Sequence, residues 1–170
     1  MPASPPRYAP ERPFPPYAFT RGITPHPRAD PGGHSVGAPQ TPPSPLDPER
    51  WETSEDYRYG VDLFNNGFFW EAHEAWEGLW IACGRRGPVA AFLKGLIKLA
   101  AAALKARTEE REGALRHARS AATLLRSIAE ETGGDRYAGL DLGHTVAIAE
   151  RLEQTPSIVE PLLLRGDGTR

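Results

Sequence analysis

Cysteine is almost absent from this chain of 170 residues, with Cys83 standing alone. That excludes a disulfide framework and any zinc module built from cysteines, and it suits a reducing compartment. Long apolar runs are missing too. The longest, near Leu96 to Leu104, is interrupted by Lys98 and falls short of the roughly 18 apolar residues that suggest a membrane span. Arg7 and Arg12 are followed by no apolar segment, so a secretory leader is not expected. The formal charge of -2 shows no excess of either sign. Nucleic acid is therefore not an expected partner, and a cytoplasmic protein with no membrane contact is the expectation.

Proline is scarce only in the second part of the chain. Pro88, Pro156 and Pro161 are the only ones after residue 50, and the other 15 of the 18 precede it. Each proline fixes φ and lacks an N–H donor, so the first segment cannot propagate a helix or sit inside a sheet. The sequence thus divides into a Pro-rich extended arm, residues 1–50, and a body at 51–165 large enough for one core. The charges also separate. Residues 51–80 hold seven acids against Arg58 alone, whereas residues 81–130 hold ten bases against four acids. Either these faces complement each other across helix contacts or remain solvated, or an acidic site is neutralised by a cation.

Apolar spacing in the body has the helical period. A helix over 54–65 carries Tyr57, Val61 and Phe64 inward with Ser54 as its N-cap, and Asn65-Asn66-Gly67 ends it. A second, over 68–82, contains Phe68, Phe69, Trp76 and Leu79 as core residues. The next helices are expected over 88–107, with Pro88 in the first turn, and over 109–131, with Thr108 as N-cap and Gly133-Gly134 as the stop. A last helix over 143–154 buries Val146, Ala149 and Leu152. The tail with Ile158, Val159 and Leu162 to Leu164 has the composition to dock as an extended segment. Strand alternation is nearly absent, so the expected fold is all-α: a compact bundle of four or five short helices.

Chemistry concentrates in the second helix. On a wheel of about 100° per residue, His73, Glu74 and Glu77 share one side with Trp70 and Trp80. An imidazole and a carboxylate four residues apart can reach one divalent metal ion, and a further carboxylate can serve as base. His73 and Glu77 are thus the candidate ligands, and Glu74 is the candidate catalytic base. Acids beside indoles are costly to bury unless paired or metal-bound. A plainer reading pairs Glu74 and Glu77 with Lys94 and Lys98, which share one face of the following helix.

The run Leu63-Phe64-Asn65-Asn66-Gly67-Phe68-Phe69-Trp70-Glu71-Ala72-His73-Glu74-Ala75-Trp76-Glu77, followed by Trp80 and by Phe92 to Ala102, resembles domain of unknown function family 309. The resemblance covers about residues 54–130. It implies a compact α-helical fold, and it brings the label of predicted metal-dependent hydrolase that such proteins often carry. Its motif positions here are Asn65, Gly67, Glu71, His73, Glu74, Glu77 and Trp80. From the residues themselves, Asn65 and Gly67 turn the chain into the motif helix, and Gly95 allows the next helix to approach it. Glu71, on the far side of the wheel from His73, is expected to cap the helix N-terminus.

Other histidines have ordinary roles open to them, His117 in packing and His144 at a helix start. The arm places His26, Asp30 and His34 within nine positions and holds Tyr8, Phe14, Tyr17 and Phe19. It is either a plain linker or a segment folded over the motif helix that supplies a ligand or substrate contact. Two functions follow. One is a metal-assisted hydrolase. The other is a non-catalytic helical module that binds a peptide, a small molecule or a second copy of itself through the same aromatic and acidic groove.

Overall fold

The Ser54 hydroxyl accepts the Tyr57 N–H at 3.4 Å and opens α1 (Glu55–Asn65), as the capping preference of serine requires. The computed structural model describes residues 4–155 and 159–165. A 3₁₀ turn (Pro48–Thr53) precedes α1, and α2 (Phe69–Ala82), α3 (Gly87–Arg107), α4 (Arg111–Thr132) and α5 (Leu142–Gln154) follow. The only sheet among the described residues is a hairpin of β1 (Arg136–Tyr137) and β2 (Leu140–Asp141), antiparallel, with Arg136 opposite Asp141. This is the expected all-α bundle. Ile158 lies outside the described residues.

Local chemistry accounts for the helix ends. Gly67 (φ +82°) and Gly133 (φ +65°) take the left-handed backbone that lets the chain leave α1 and α4 without a Cβ clash. The Asp141 carboxylate accepts the His144 N–H at 2.8 Å and caps α5. Thr108 does not start α4. Its hydroxyl bonds back to the Leu104 and Lys105 carbonyls, so it closes α3, and α4 begins at Arg111 without a side-chain cap.

α3 is the spine of the bundle, packed chiefly against α4 and then α2, while α5 closes on α4. Its Phe92, Leu93, Leu96, Leu99 and Ala100 are wholly buried. A Cβ on Gly95 would sit 2.9 Å from Leu125 Cγ, so this glycine sets the approach of α3 to α4 and not, as the spacing suggested, to the motif helix. Over its full 21 residues α3 is long and apolar enough to cross a membrane, because Lys94 and Lys98 together do not lower its mean hydropathy enough to exclude it. Within the fold its apolar side is core against its helical neighbours.

The arm is laid along the bundle. Ala9, Phe19 and Leu46 are buried, and Phe14 stacks on Phe68 with ring centroids 5.0 Å apart. Fifteen prolines in the first 50 residues lower the entropy of the free arm, so fewer contacts hold it in place. The tail docks beside it. Asn65 accepts the Leu162 N–H at 2.7 Å and donates to the Leu162 carbonyl at 2.8 Å, and Leu164 bridges Leu140. Asn65 is therefore a side-chain imitation of a strand edge. Its neighbour Asn66 does the capping, donating to the Asp62 carbonyl at 2.8 Å.

Candidate metal centre on the second helix

The inward stripe of α2 is Phe69, Ala72, Trp76 and Leu79, at spacings of three and four. Trp76 is wholly buried, and its indole lies over Gly60 of α1, where a Cβ would stand 2.3 Å from Nε1. This contact fixes the rotation of α2 about its axis. Beside the stripe, half-buried, lie His73, Glu74 and Glu77, whose ligand atoms all fall within 4.8 Å of one another. His73 Nδ1 is buried and has no hydrogen-bond partner. Its nearest ionic neighbour is Glu74 Oε1 at 3.7 Å, beyond hydrogen-bonding distance. The other Glu74 oxygen, Oε2, faces Arg28 of the arm at 3.5 Å.

His73 first, then Arg28, hold the Glu74 carboxyl below its usual 4.5 against the opposing effect of burial. Glu77 has no ion pair among the described residues. The donor set is thus one imidazole nitrogen without a partner and two carboxylates, on one helical face, which suits a divalent cation that accepts nitrogen and oxygen.

Lys94 and Lys98 do not neutralise this group. The Lys94 ammonium sits 4.3 Å from the centre of the Trp80 ring, and neither lysine pairs with Glu74 or Glu77. The indoles do not form one strip. Trp76 is core, Trp80 lies under Lys94, and Trp70 turns to the arm, where Phe19 and His26 meet it edge-on at 5.5 and 5.4 Å. For His117 of α4, burial first, then the positive charges of Lys98, Arg116 and Lys105, push the pKa below the usual 6.5.

Glu71 does not cap its helix. The N-cap position of α2 is Phe68, without a side-chain bond, and the Glu71 carboxylate is buried under the arm. Its Oε1 accepts the Phe19 N–H at 2.8 Å and lies 3.0 Å from His34 Nε2. His34 therefore joins Glu71 and not His73. His26 and Asp30 build a turn of the arm, with Asp30 Oδ2 accepting the His26 N–H at 2.6 Å. The His26 ring lies against Trp70, and neither residue is in the three-residue group.

The acidic block of the sequence is explained by this docking. Asp56 pairs with Arg12 at 2.7 Å, and Glu74 with Arg28. Asp62, wholly buried, takes Arg7 Nε at 2.9 Å and the backbone N–H groups of Tyr8 and Ala9 at 2.7 and 2.8 Å. Together with Glu71, four acids of α1 and α2 each hold a piece of the arm. Asp62, Arg7, Arg12 and Arg28 carry no motif, and periodicity does not single them out. A signal was present all the same, since residues 1–29 carry four arginines against Glu11 alone. Between arm and helix remains a cleft of about 520 Å³, lined by Trp70, Glu74, Gly78, Ile81, Tyr59 and the prolines at 39, 42 and 43.

No curated protein matches the sequence. The family profile described as Domain of unknown function (DUF309) matches residues 57–117. The match runs from α1 to the first turns of α4, contains the His73 group, and leaves the arm outside. The likeness to DUF309 thus covers the helical core of the chain, 61 of its 170 residues.

Proposed function

We propose that His73, Glu74 and Glu77 hold one divalent cation and that hydrolysis assisted by it, in a cytoplasmic setting, is the activity. The observation that carries the reading is the buried His73 Nδ1, which has no hydrogen-bond partner and lies in one group with two carboxylates. A buried nitrogen without a partner is costly, and a cation would relieve it. When bound, the cation would supply a polarised water and stabilise developing negative charge. Glu74 fits better as a ligand through Oε1, which faces His73, than as a separate base. The cleft beside Glu74 falls in the size range of small-molecule sites and gives a substrate somewhere to lie.

Calorimetric titration of the purified chain with Zn²⁺ and Mn²⁺, alongside elemental analysis, tests the cation. The expected result is one ion per chain and a loss of at least tenfold in affinity for His73→Ala. No binding of either ion by the wild-type chain would sink the proposal. Loaded protein assayed on ester, amide and phosphoester substrates then tests hydrolysis. A loaded but inactive protein would leave the second function, a binding surface for a peptide or another copy, with the cation in a structural part.

A further inference from the structure

The two oxygens of Glu74 face different partners, Oε1 toward His73 Nδ1 and Oε2 toward Arg28 Nη2. Arg28 belongs to the arm, outside the residues that match the family. It is also presented by an ordered turn. His26 Nδ1 accepts the backbone N–H of Arg28 at 3.2 Å and of Ala29 at 3.1 Å, while Asp30 Oδ2 accepts the His26 N–H. The Ser35 N–H closes the turn on the Pro27 carbonyl at 2.9 Å, and a Cβ on Gly33 would collide with that carbonyl oxygen at 2.3 Å. The His26 ring then rests against Trp70 of α2, so the turn is seated on the same helix as the candidate ligands.

We propose that Arg28 competes with the bound cation for the charge of Glu74, so that the arm sets the affinity of the centre. This rests on the cation-binding reading given above. A guanidinium at Oε2 and a cation drawing on Oε1 share one carboxylate, and like charges around it repel. Arg28 and Glu74 keep 41% and 26% of their side-chain surface exposed, so water screens the effect to a few-fold change. Linkage makes the coupling reciprocal: a cation that Arg28 weakens must in turn loosen Arg28 and its turn.

The test is Mn²⁺ titration of the full-length wild type, Arg28→Ala, Arg28→Lys and His73→Ala at low and high salt. Arg28→Ala should bind Mn²⁺ about three- to fivefold more tightly, Arg28→Lys should resemble the wild type, and the gap should narrow with salt. A merely structural part for Arg28 predicts the opposite, weaker binding without rescue by lysine. Equal or weaker binding by Arg28→Ala, with the wild type binding normally, would overturn the inference alone. No binding by the wild type would remove the cation centre itself. Trypsin cleavage after Arg28 gives a second readout should the alanine variant not fold. Mn²⁺ should speed it in the wild type and not in His73→Ala, and a rate indifferent to Mn²⁺ would overturn the coupling.

Discussion

Asp62→Asn is the sharpest test of how the arm is held. Asp62 is wholly buried, and each of its oxygens takes an N–H donor from the arm, Tyr8 on Oδ1 and Ala9 on Oδ2, with Arg7 added on Oδ2. Asparagine keeps the shape but turns one oxygen into an NH₂ group, which must then face a backbone donor. A lost charge-assisted bond is worth about 1.5–3 kcal/mol, and a buried donor left without an acceptor costs about 1–3 kcal/mol. Arg7 remains 29% exposed and contributes toward the lower end. The sum, about 2.5–4.5 kcal/mol, overlaps what breaking a buried ion pair costs. The arm can instead peel away, which caps the loss at its own docking free energy. Urea denaturation followed by circular dichroism measures the first outcome, and trypsin cleavage after Arg7 and Arg21 reports the second. A loss below about 1 kcal/mol with arm cleavage unchanged would refute Asp62 as the anchor.

Gly60→Ala places a methyl 2.3 Å from the Trp76 indole nitrogen, an overlap that neither helix can relieve by a side-chain shift alone. Thermal unfolding should show a loss of about 1–3 kcal/mol or more. Asn65→Ala removes both bonds to Leu162, and about 1–3 kcal/mol with them. Hydrogen exchange at Leu162 and Leu164 should accelerate while α3 stays protected. His117 has its proton affinity lowered in the fold. The unfolded chain therefore binds a proton first as the pH falls below about 6.5, and stability declines there. Denaturation at several pH values should show a flatter profile for His117→Gln between about pH 5 and 7.

Much of the architecture can be read from the chain because each helix is encoded locally. Ser54, the Asn66-Gly67 turn, Pro88 and Gly133 mark ends through their own backbone and capping chemistry, and the apolar stripes of α1, α3, α4 and α5 repeat at the helical period. Thr108 misleads because a threonine between two helices can close one as readily as open the next. The candidate centre is equally local. His73, Glu74 and Glu77 lie within five consecutive residues of one helix, so their spacing alone brings them to one face.

What the sequence does not decide is the partner of each charge. On a helical wheel Glu71 is a carboxylate in a first turn, and capping is its cheapest local use. Only when the arm crosses α2 do the Phe19 N–H and His34 offer it more. The lysines of α3 have suitable spacing for Glu74 and Glu77, yet Trp80 takes Lys94, and the arm supplies Arg28. The pairings with the arm join residues 37 to 52 positions apart, and nothing in a period of 3.6 residues carries that information. Sequence therefore determined the helices and the three candidate ligands, because both depend on neighbours along the chain. Tertiary structure decided that the acidic block receives the proline-rich arm, because a buried carboxylate is satisfied by whichever donors the fold brings to it.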